Sequence, residues 1–263
     1  EDEILQIVSN AGSDILEDDA AIDTLTRAQK TSANIEQQIQ MSVKTEKQIS
    51  QFKEKFEVVA KRASLLYFCV SDFSVIDPMY QFSLKWFVSL FRNAIQNSDH
   101  PTDHTLMISS FNDSIAKTFY ESVSFSLFSR HKLLFSTLMT IRILSFEKQI
   151  SSAELAFLLQ PSNNHEKSPY SFISDEVWSH AISLSKISTA FSSIVDEIKS
   201  NKDQWRNYMD SQTPEKEPFP YSVTLNSFQK LLALRVFHLQ RVREGLHLFI
   251  EENLGQFFVK PPT

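Results

Sequence analysis

Apolar residues along most of this chain recur every three or four positions, the spacing that places them on one face of an α-helix. Residues 14–62 hold this spacing without a glycine or a proline, which predicts one continuous helix. Ala11-Gly12-Ser13 predicts a turn before it, with Gly12 just beyond the end of a helix formed by residues 1–10. Asp14 and Glu17 have the spacing of a capping box, which predicts that the long helix starts at Asp14.

The long helix carries a narrow seam with the a/d rhythm of a coiled coil. Because several seam positions are serine or glutamate, the pattern predicts pairing with a single helix rather than a tight homodimer. The turn at Gly12 predicts an antiparallel partner. The seam positions are Leu25, Ala28, Ser32, Ile35, Ile39, Ser42, Glu46 and Ile49.

Beyond residue 63 the chain is dense in apolar and aromatic residues, with polar breaks between helical stretches. Pro78 suits the first turn of a helix, and Ser151 with Glu154 predicts a second capping box. The weak strand candidate is 257–259. The predicted helices are 79–94, 106–128, 130–146, 155–159, 177–198, a short one around Trp205, and 228–249.

These patterns predict an all-α protein, with a long coiled-coil helix projecting from a helical bundle. We divide it into a coiled-coil segment, 1–62, a helical bundle, 63–225, and a terminal helix with a linker, 226–263.

Composition narrows the possible functions. The chain has 263 residues and only three glycines, where average usage of about 7% would give roughly eighteen. No two of them have the spacing of a phosphate-binding loop or a dinucleotide-binding fingerprint. A β architecture rich in tight hairpins is also excluded, because its turns depend on glycine. We therefore expect no catalytic site and no nucleotide bound by this chain itself.

The net charge is −6, whereas a nucleic-acid-binding protein would show a strong excess of basic residues. The charge therefore argues against nucleic-acid binding. Residues 1–23 contain acids and no base, whereas 228–243 contain bases and no acid. Arg235 and Arg241 would fall roughly on one side of a helix. That face is either solvated and salt-bridged, or a docking face for an acidic neighbour or a nucleotide phosphate.

Three further candidates favour structural interpretations. Asp18, Asp19 and Asp23 resemble a magnesium-binding acid motif, but acids in the first turns of a helix also oppose its dipole. The pair His100 and His104 lacks the additional ligands that zinc requires. Cys69 has apolar neighbours, which indicates a buried, inert thiol. The sequence contains no run of 18 apolar residues, so it predicts no membrane-spanning helix.

Several segments of the sequence resemble a dynein heavy chain, in matching order across essentially the whole length. The match is closer to the axonemal than to the cytoplasmic type, chiefly because of IDPMYQFSL at 76–84. The start without methionine fits a fragment of such a protein. The segments are Asp14–Asp19, Lys44–Ile49, Val59–Phe68, Ile76–Leu84, Leu127–Phe135, Phe228–Arg235 and Leu254–Pro262.

The resemblance implies that 14–62 is the returning helix of the buttress, a coiled coil that braces the microtubule-binding stalk, with Gly12 at its tip. The rest would be the helical lid of the fifth AAA+ module, up to the start of the sixth. It implies partners in the stalk and neighbouring modules, ATP and Mg²⁺ elsewhere in the motor, indirect contact with microtubules, and a place in the cytoskeleton of a cilium or flagellum. The family usually has Cys-x-Arg-Pro-Asp-Arg where this chain has Val236-Phe-His-Leu-Gln-Arg241, which weakens any family contact there.

The residues leave two other functions open. A helical scaffold or tethering protein would bind partners through the long exposed helix. An all-helical magnesium enzyme would use the three aspartates at 18, 19 and 23.

Overall fold

The computed structural model describes residues 19–160 and 166–260. Within these ranges the regular structure is helical and contains no strand, which confirms the all-α prediction. The α-helices are α1 (Asp19–Asp72), α2 (Leu84–Gln96), α3 (His104–Ser126), α4 (Ser129–Phe146), α5 (Ser152–Leu159), α6 (Asp175–Ile187), α7 (Ile194–Ser200), α8 (Lys202–Met209), α9 (Ser227–Phe237) and α10 (Val242–Leu254). Short 3-10 helices are Phe73–Val75, Thr189–Phe191, Leu239–Arg241 and Gln256–Phe258.

The chain divides into two compact units, Glu1–Val58 and Val59–Thr263. The division into three segments at residues 62 and 225 stays a prediction. In the first unit, the described residues belong to α1, which continues to Asp72 rather than ending near Arg62. Its 54 residues correspond to a length of about 80 Å.

Aromatic side chains form much of the core of the second unit. Phe73, the first residue of the 3-10 helix that follows α1, meets Phe135 of α4 edge-to-face, with ring centroids 5.4 Å apart. Phe119 of α3 lies 6.0 Å from Phe135. In this unit α2 packs on α3, and α10 packs on both α4 and α9. A second aromatic cluster joins Trp205 of α8 to Phe237 of α9, at 5.0 Å.

Local hydrogen bonds fix where α2 begins. The prediction of a helix from Met79 with Pro78 in its first turn is wrong, because the Asp77 carboxylate accepts the Met79 N–H at 2.9 Å and closes a turn there. The Ser83 side chain then accepts the Trp86 N–H, so that the helix starts at Leu84.

Two predicted long helices are each broken at one residue whose backbone is not helical. Helix 177–198 is interrupted at Ser188, whose hydroxyl donates to Glu154 at 2.7 Å. Helix 228–249 is interrupted at His238, whose Nε2 bonds the Tyr208 carbonyl at 3.0 Å. The strand candidate 257–259 is also wrong, because a 3-10 helix covers Gln256–Phe258. The capping box of Ser151 and Glu154 at the start of α5 is confirmed.

Candidate functional site

The candidate site is the exposed seam of α1, called the open seam below. Ile35, Ile39 and Ile49 expose 50%, 56% and 60% of their surface, although isoleucine is among the residues most often buried in folded proteins. Leu25, the first predicted seam position, has a side chain outside the described residues. The remaining members of the open seam are Ala28, Ser32, Ser42 and Glu46.

The same alternation of three- and four-residue steps continues beyond Ile49 into the second unit. After one extra three-residue step to Phe52, the stripe passes through Phe56 and reaches residues that are buried. We call these residues the buried seam: Val59, Ala63, Leu66, Val70 and Phe73. One helix therefore carries a single stripe that is open in its first part and buried in its second.

The local sequence gives α1 its continuity. No glycine or proline interrupts residues 19–72, so that no backbone hydrogen bond is lost and no interior residue has excess conformational freedom. Threonine hydroxyls on the exposed part donate hydrogen bonds to backbone carbonyls of the same helix. Thr31 Oγ1 donates to the Arg27 carbonyl at 2.8 Å, and Thr45 Oγ1 donates to the Met41 carbonyl at 2.8 Å. These bonds satisfy the hydroxyls within the helix itself.

Two ion pairs join the part of α1 that carries the buried seam to α4 and its C-terminal end. Arg62 Nη1 lies 3.2 Å from Glu147 Oε1, and Arg142 Nη2 lies 2.9 Å from Asp72 Oδ2. The two α1 members are ten positions apart, which corresponds to about 15 Å along the helix. The ion pairs therefore bracket the buried seam near both of its ends.

The structure separates Arg235 and Arg241, which the sequence placed on one side of one helix. Arg235 is in α9, whereas Arg241 ends the 3-10 helix after the break at His238. Nε and Nη2 of Arg241 both donate to the Glu215 carboxylate. Hydrogen bonds from Arg241 hold the pKa of Glu215 below its usual value. The sequence left two alternatives for this basic stretch, a solvated and salt-bridged face or a docking face. The ion pair with Glu215 agrees with the first of them for Arg241.

The segment 214–225, which includes Glu215, contributes to the lining of a cleft of about 740 Å³. The bond from Arg241 to Glu215 ties this segment to the residues after α9. Leu231 and Leu234 of α9 and Leu248 and Phe249 of α10 contribute apolar surface to the cleft. Close by, burial lowers the pKa of His238, although the Tyr208 carbonyl and Glu215 favour the protonated ring. Burial also raises the pKa of Tyr208 above its usual value.

Glu154 is a structural residue whose wider role the sequence did not reveal. Beyond its capping bond, it accepts hydrogen bonds from Ser188 at 2.7 Å and Gln229 at 3.5 Å. Burial alone would raise the pKa of Glu154, but these bonds and those from Ser151 keep it below its usual value. The capping-box pattern was visible in the sequence, whereas Ser188 and Gln229 lie too far along the chain for any local signal.

The remaining candidates are the lone cysteine, the possible metal ligands and the residues near the start of the long helix. Cys69 is buried as predicted, and burial raises its pKa to about 12. Over residues 19–160 and 166–260, no three His, Cys, Asp or Glu side chains are grouped so that they could hold a metal ion. Nor does this part of the chain include a helix apolar and long enough to cross a membrane. Asp23 pairs with Arg27 at 3.7 Å. Gly12, Asp14 and Asp18 lie outside the described residues.

The sequence, compared with known proteins, is similar over its whole length to dynein heavy chains. No family model matches it. It is 33% identical over 268 aligned residues to human (Homo sapiens) dynein axonemal heavy chain 1, covering 100% of this chain. It is 36% identical over 262 residues to dynein axonemal heavy chain 11 of Sus scrofa, and 32% identical over 262 residues to the ciliary dynein beta chain of Heliocidaris crassispina, covering 99% of this chain in both cases.

The chain spans only about 6% of the length of each of these relatives. The resemblance to a dynein heavy chain is thereby confirmed, as a segment of one, and the matched relatives are of the axonemal or ciliary type.

Proposed function

We propose that this chain is a non-catalytic, mechanical segment of an axonemal dynein motor. It relays movements of the ATP-driven AAA+ ring to the microtubule-binding stalk, within the cytoskeleton of a cilium or flagellum. The segment itself binds no nucleotide, and ATP and Mg²⁺ act elsewhere in the motor. Its direct partners are the stalk and the neighbouring modules of the same heavy chain, and microtubules are contacted only through the stalk.

The observation that carries this proposal is the single stripe along α1, open at 28–49 and buried at 59–73. A helix whose apolar stripe ends in a core is held firmly at that end. The exposed isoleucines of the same stripe remain available to one partner helix. A movement of the second unit would therefore reach the partner through a continuous helix.

The stiffness of α1 supports the mechanical part of the proposal. A relay helix must not bend where it is loaded, and sharp bends in helices arise at proline, glycine or inserted groups. Residues 13–244 contain no glycine, and the first proline after the long helix is Pro78. Sparse glycine also explains why a phosphate-binding loop is not expected in this segment.

Glycine substitution in the open seam tests the relay in the full motor. Ile35→Gly with Ile39→Gly removes two apolar seam contacts and adds about 1 kcal/mol of helix cost per site. We expect microtubule-stimulated ATP turnover to fall towards its basal rate, while basal turnover persists. The matched control is Gln37→Ala with Gln40→Ala, off the seam, which preserves coupling. Unchanged coupling in the glycine variant contradicts the relay.

A scaffold or tether is the second candidate function, favoured by the exposure of the open seam alone. The two candidates differ in what the chain binds. In a pull-down with the isolated stalk of the same heavy chain, the relay predicts retention that Ile35→Asp with Ile39→Asp abolishes. A tether predicts no retention by the stalk.

A further inference from the structure

One member of the open seam is charged, and the neighbouring turns of its own helix do not neutralise it. The positions three and four residues from Glu46 are Ser42, Val43, Ile49 and Ser50, which carry no charge. Among the described residues, no ion pair or hydrogen bond to the Glu46 carboxylate is present. Asp23 differs, because Arg27 one turn later pairs with it at 3.7 Å.

Covering Glu46 with a partner helix has an energetic consequence. A carboxylate that loses its water without gaining a partner costs several kcal/mol. An apolar residue opposite Glu46 would impose that cost, whereas a lysine or arginine would replace the lost water with a charge-assisted hydrogen bond. A lone charged or polar pair within an apolar seam also fixes the register of two helices.

A second copy of this chain offers no cation at a position of the open seam. None of the open-seam positions from Ala28 to Ile49 is lysine or arginine. In a parallel, in-register pair, Glu46 would face Glu46, and like charges at one layer repel. The occupant therefore differs in sequence from the open seam.

We propose that the helix covering the open seam presents a lysine or arginine opposite Glu46, and that this pair sets the register between the two helices. The inference rests on the proposed function, which supplies the partner helix. The partner has apolar residues at the layers of Ile35, Ile39 and Ile49. It has one basic residue at the layer between Ser42 and Ile49.

Hydrogen exchange of the amides of residues 28–49 in the full heavy chain tests this. If a basic residue faces Glu46, Glu46→Leu leaves a buried cation unpaired, so that exchange becomes about tenfold faster or more. Glu46→Lys places two like charges together, so that exchange becomes faster still. The matched control Glu54→Leu lies off the seam, and its exchange in this segment equals that of the parent chain.

The outcomes separate the two proposals. Slower exchange in Glu46→Leu means that an apolar residue faces position 46, which overturns the charge pair and leaves the partner helix in place. Exchange in the parent chain as fast as in an uncovered helix overturns both the charge pair and the covering partner. Faster exchange in Glu46→Leu with no change in Glu54→Leu supports the pair.

Discussion

The open seam and the buried seam belong to one helix and share one spacing, yet only one of them is buried. Ile39 of the open seam exposes 56% of its surface, whereas Leu66 of the buried seam exposes 1%. Both are large aliphatic residues at seam positions, so hydrophobicity alone does not decide burial. What differs is the surroundings: residues from other helices of the same chain cover the buried seam, as Phe135 does against Phe73.

An apolar stripe on a helix therefore indicates that other residues cover it. The stripe does not indicate whether those residues belong to the same folded unit or to a separate partner. Burial of a large aliphatic side chain contributes about 1.5–3 kcal/mol. Three isoleucines left exposed at 35, 39 and 49 therefore represent a substantial driving force for association. The apolar side chains of the buried seam are already removed from water in the folded second unit.

The largest expected effect comes from truncating matched residues of the two seams. Leu66→Ala leaves a cavity in the core and should cost about 2–5 kcal/mol in the free energy of unfolding. Ile39→Ala should change it by no more than about 0.5 kcal/mol, because the side chain is exposed. Urea unfolding of the isolated chain, followed by circular dichroism, measures both. An equal loss in the two variants would show that the open seam is already covered in solution.

Overpacking the second unit should have the next largest effect. A Cβ added at Gly245 would lie 2.3 Å from Leu234 Cδ2, so a side chain at residue 245 would force the buried Leu234 of α9 to move. Gly245→Val should cost about 1–3 kcal/mol. Thermal unfolding measures this cost.

The control for that substitution combines Gly245→Val with Leu234→Ala, which removes the clashing methyl groups. We expect the combined loss to be smaller than the sum of the two single losses, since the residues share one contact. Strict additivity would argue against the close approach as the cause.

Part of this architecture could be predicted from the sequence, because its causes are local. The continuity of α1 follows from the lack of helix breakers over 19–72, and the start of α5 follows from the spacing of Ser151 and Glu154. The rhythm of the open seam was likewise visible as a repeat of three and four. The sequence did not show where the stripe becomes buried, because that depends on other helices.

The failed predictions have distant causes. The break at Ser188 is supported by Glu154, 34 positions away, and the break at His238 by the Tyr208 carbonyl, 30 positions away. The partner of Arg241 is Glu215, 26 positions away. Buried polar groups require hydrogen-bond partners, but a single sequence does not show which distant residue supplies them. For Arg241 the sequence left a salt-bridged face and a docking face as alternatives, and it did not show that Glu215 is the partner.

Acid should weaken the second unit through His238, and the effect should be smaller than that of the core substitutions. Its pKa in the folded protein is lowered by burial, whereas an unfolded histidine titrates at about 6.5. Stability is therefore fully present above pH 6.5 and declines below it, because the unfolded chain takes up the proton first.

Urea unfolding between pH 7.5 and pH 5.5 measures this decline. His238→Gln removes the titrating group but can still donate to the Tyr208 carbonyl, so the decline should become shallower. His180, whose pKa burial also lowers, should make a separate contribution, and the double variant should be flatter than either single one. A decline of the same steepness in His238→Gln would exclude this histidine as its source.

The smallest expected effect concerns the two ion pairs that bracket the buried seam. Arg142 and Asp72 are about half exposed, 48% and 53%, and 2.9 Å apart, so a double-mutant cycle with Arg142→Gln and Asp72→Asn should give a coupling of about 0.2–1 kcal/mol. Arg62 and Glu147 are more covered, 19% and 35%, and less screened by salt. Their coupling, measured with Arg62→Gln and Glu147→Gln, should be the larger of the two and should survive better in 1 M salt. The reverse order would mean that solvent exposure does not set the relative strength of these two ion pairs.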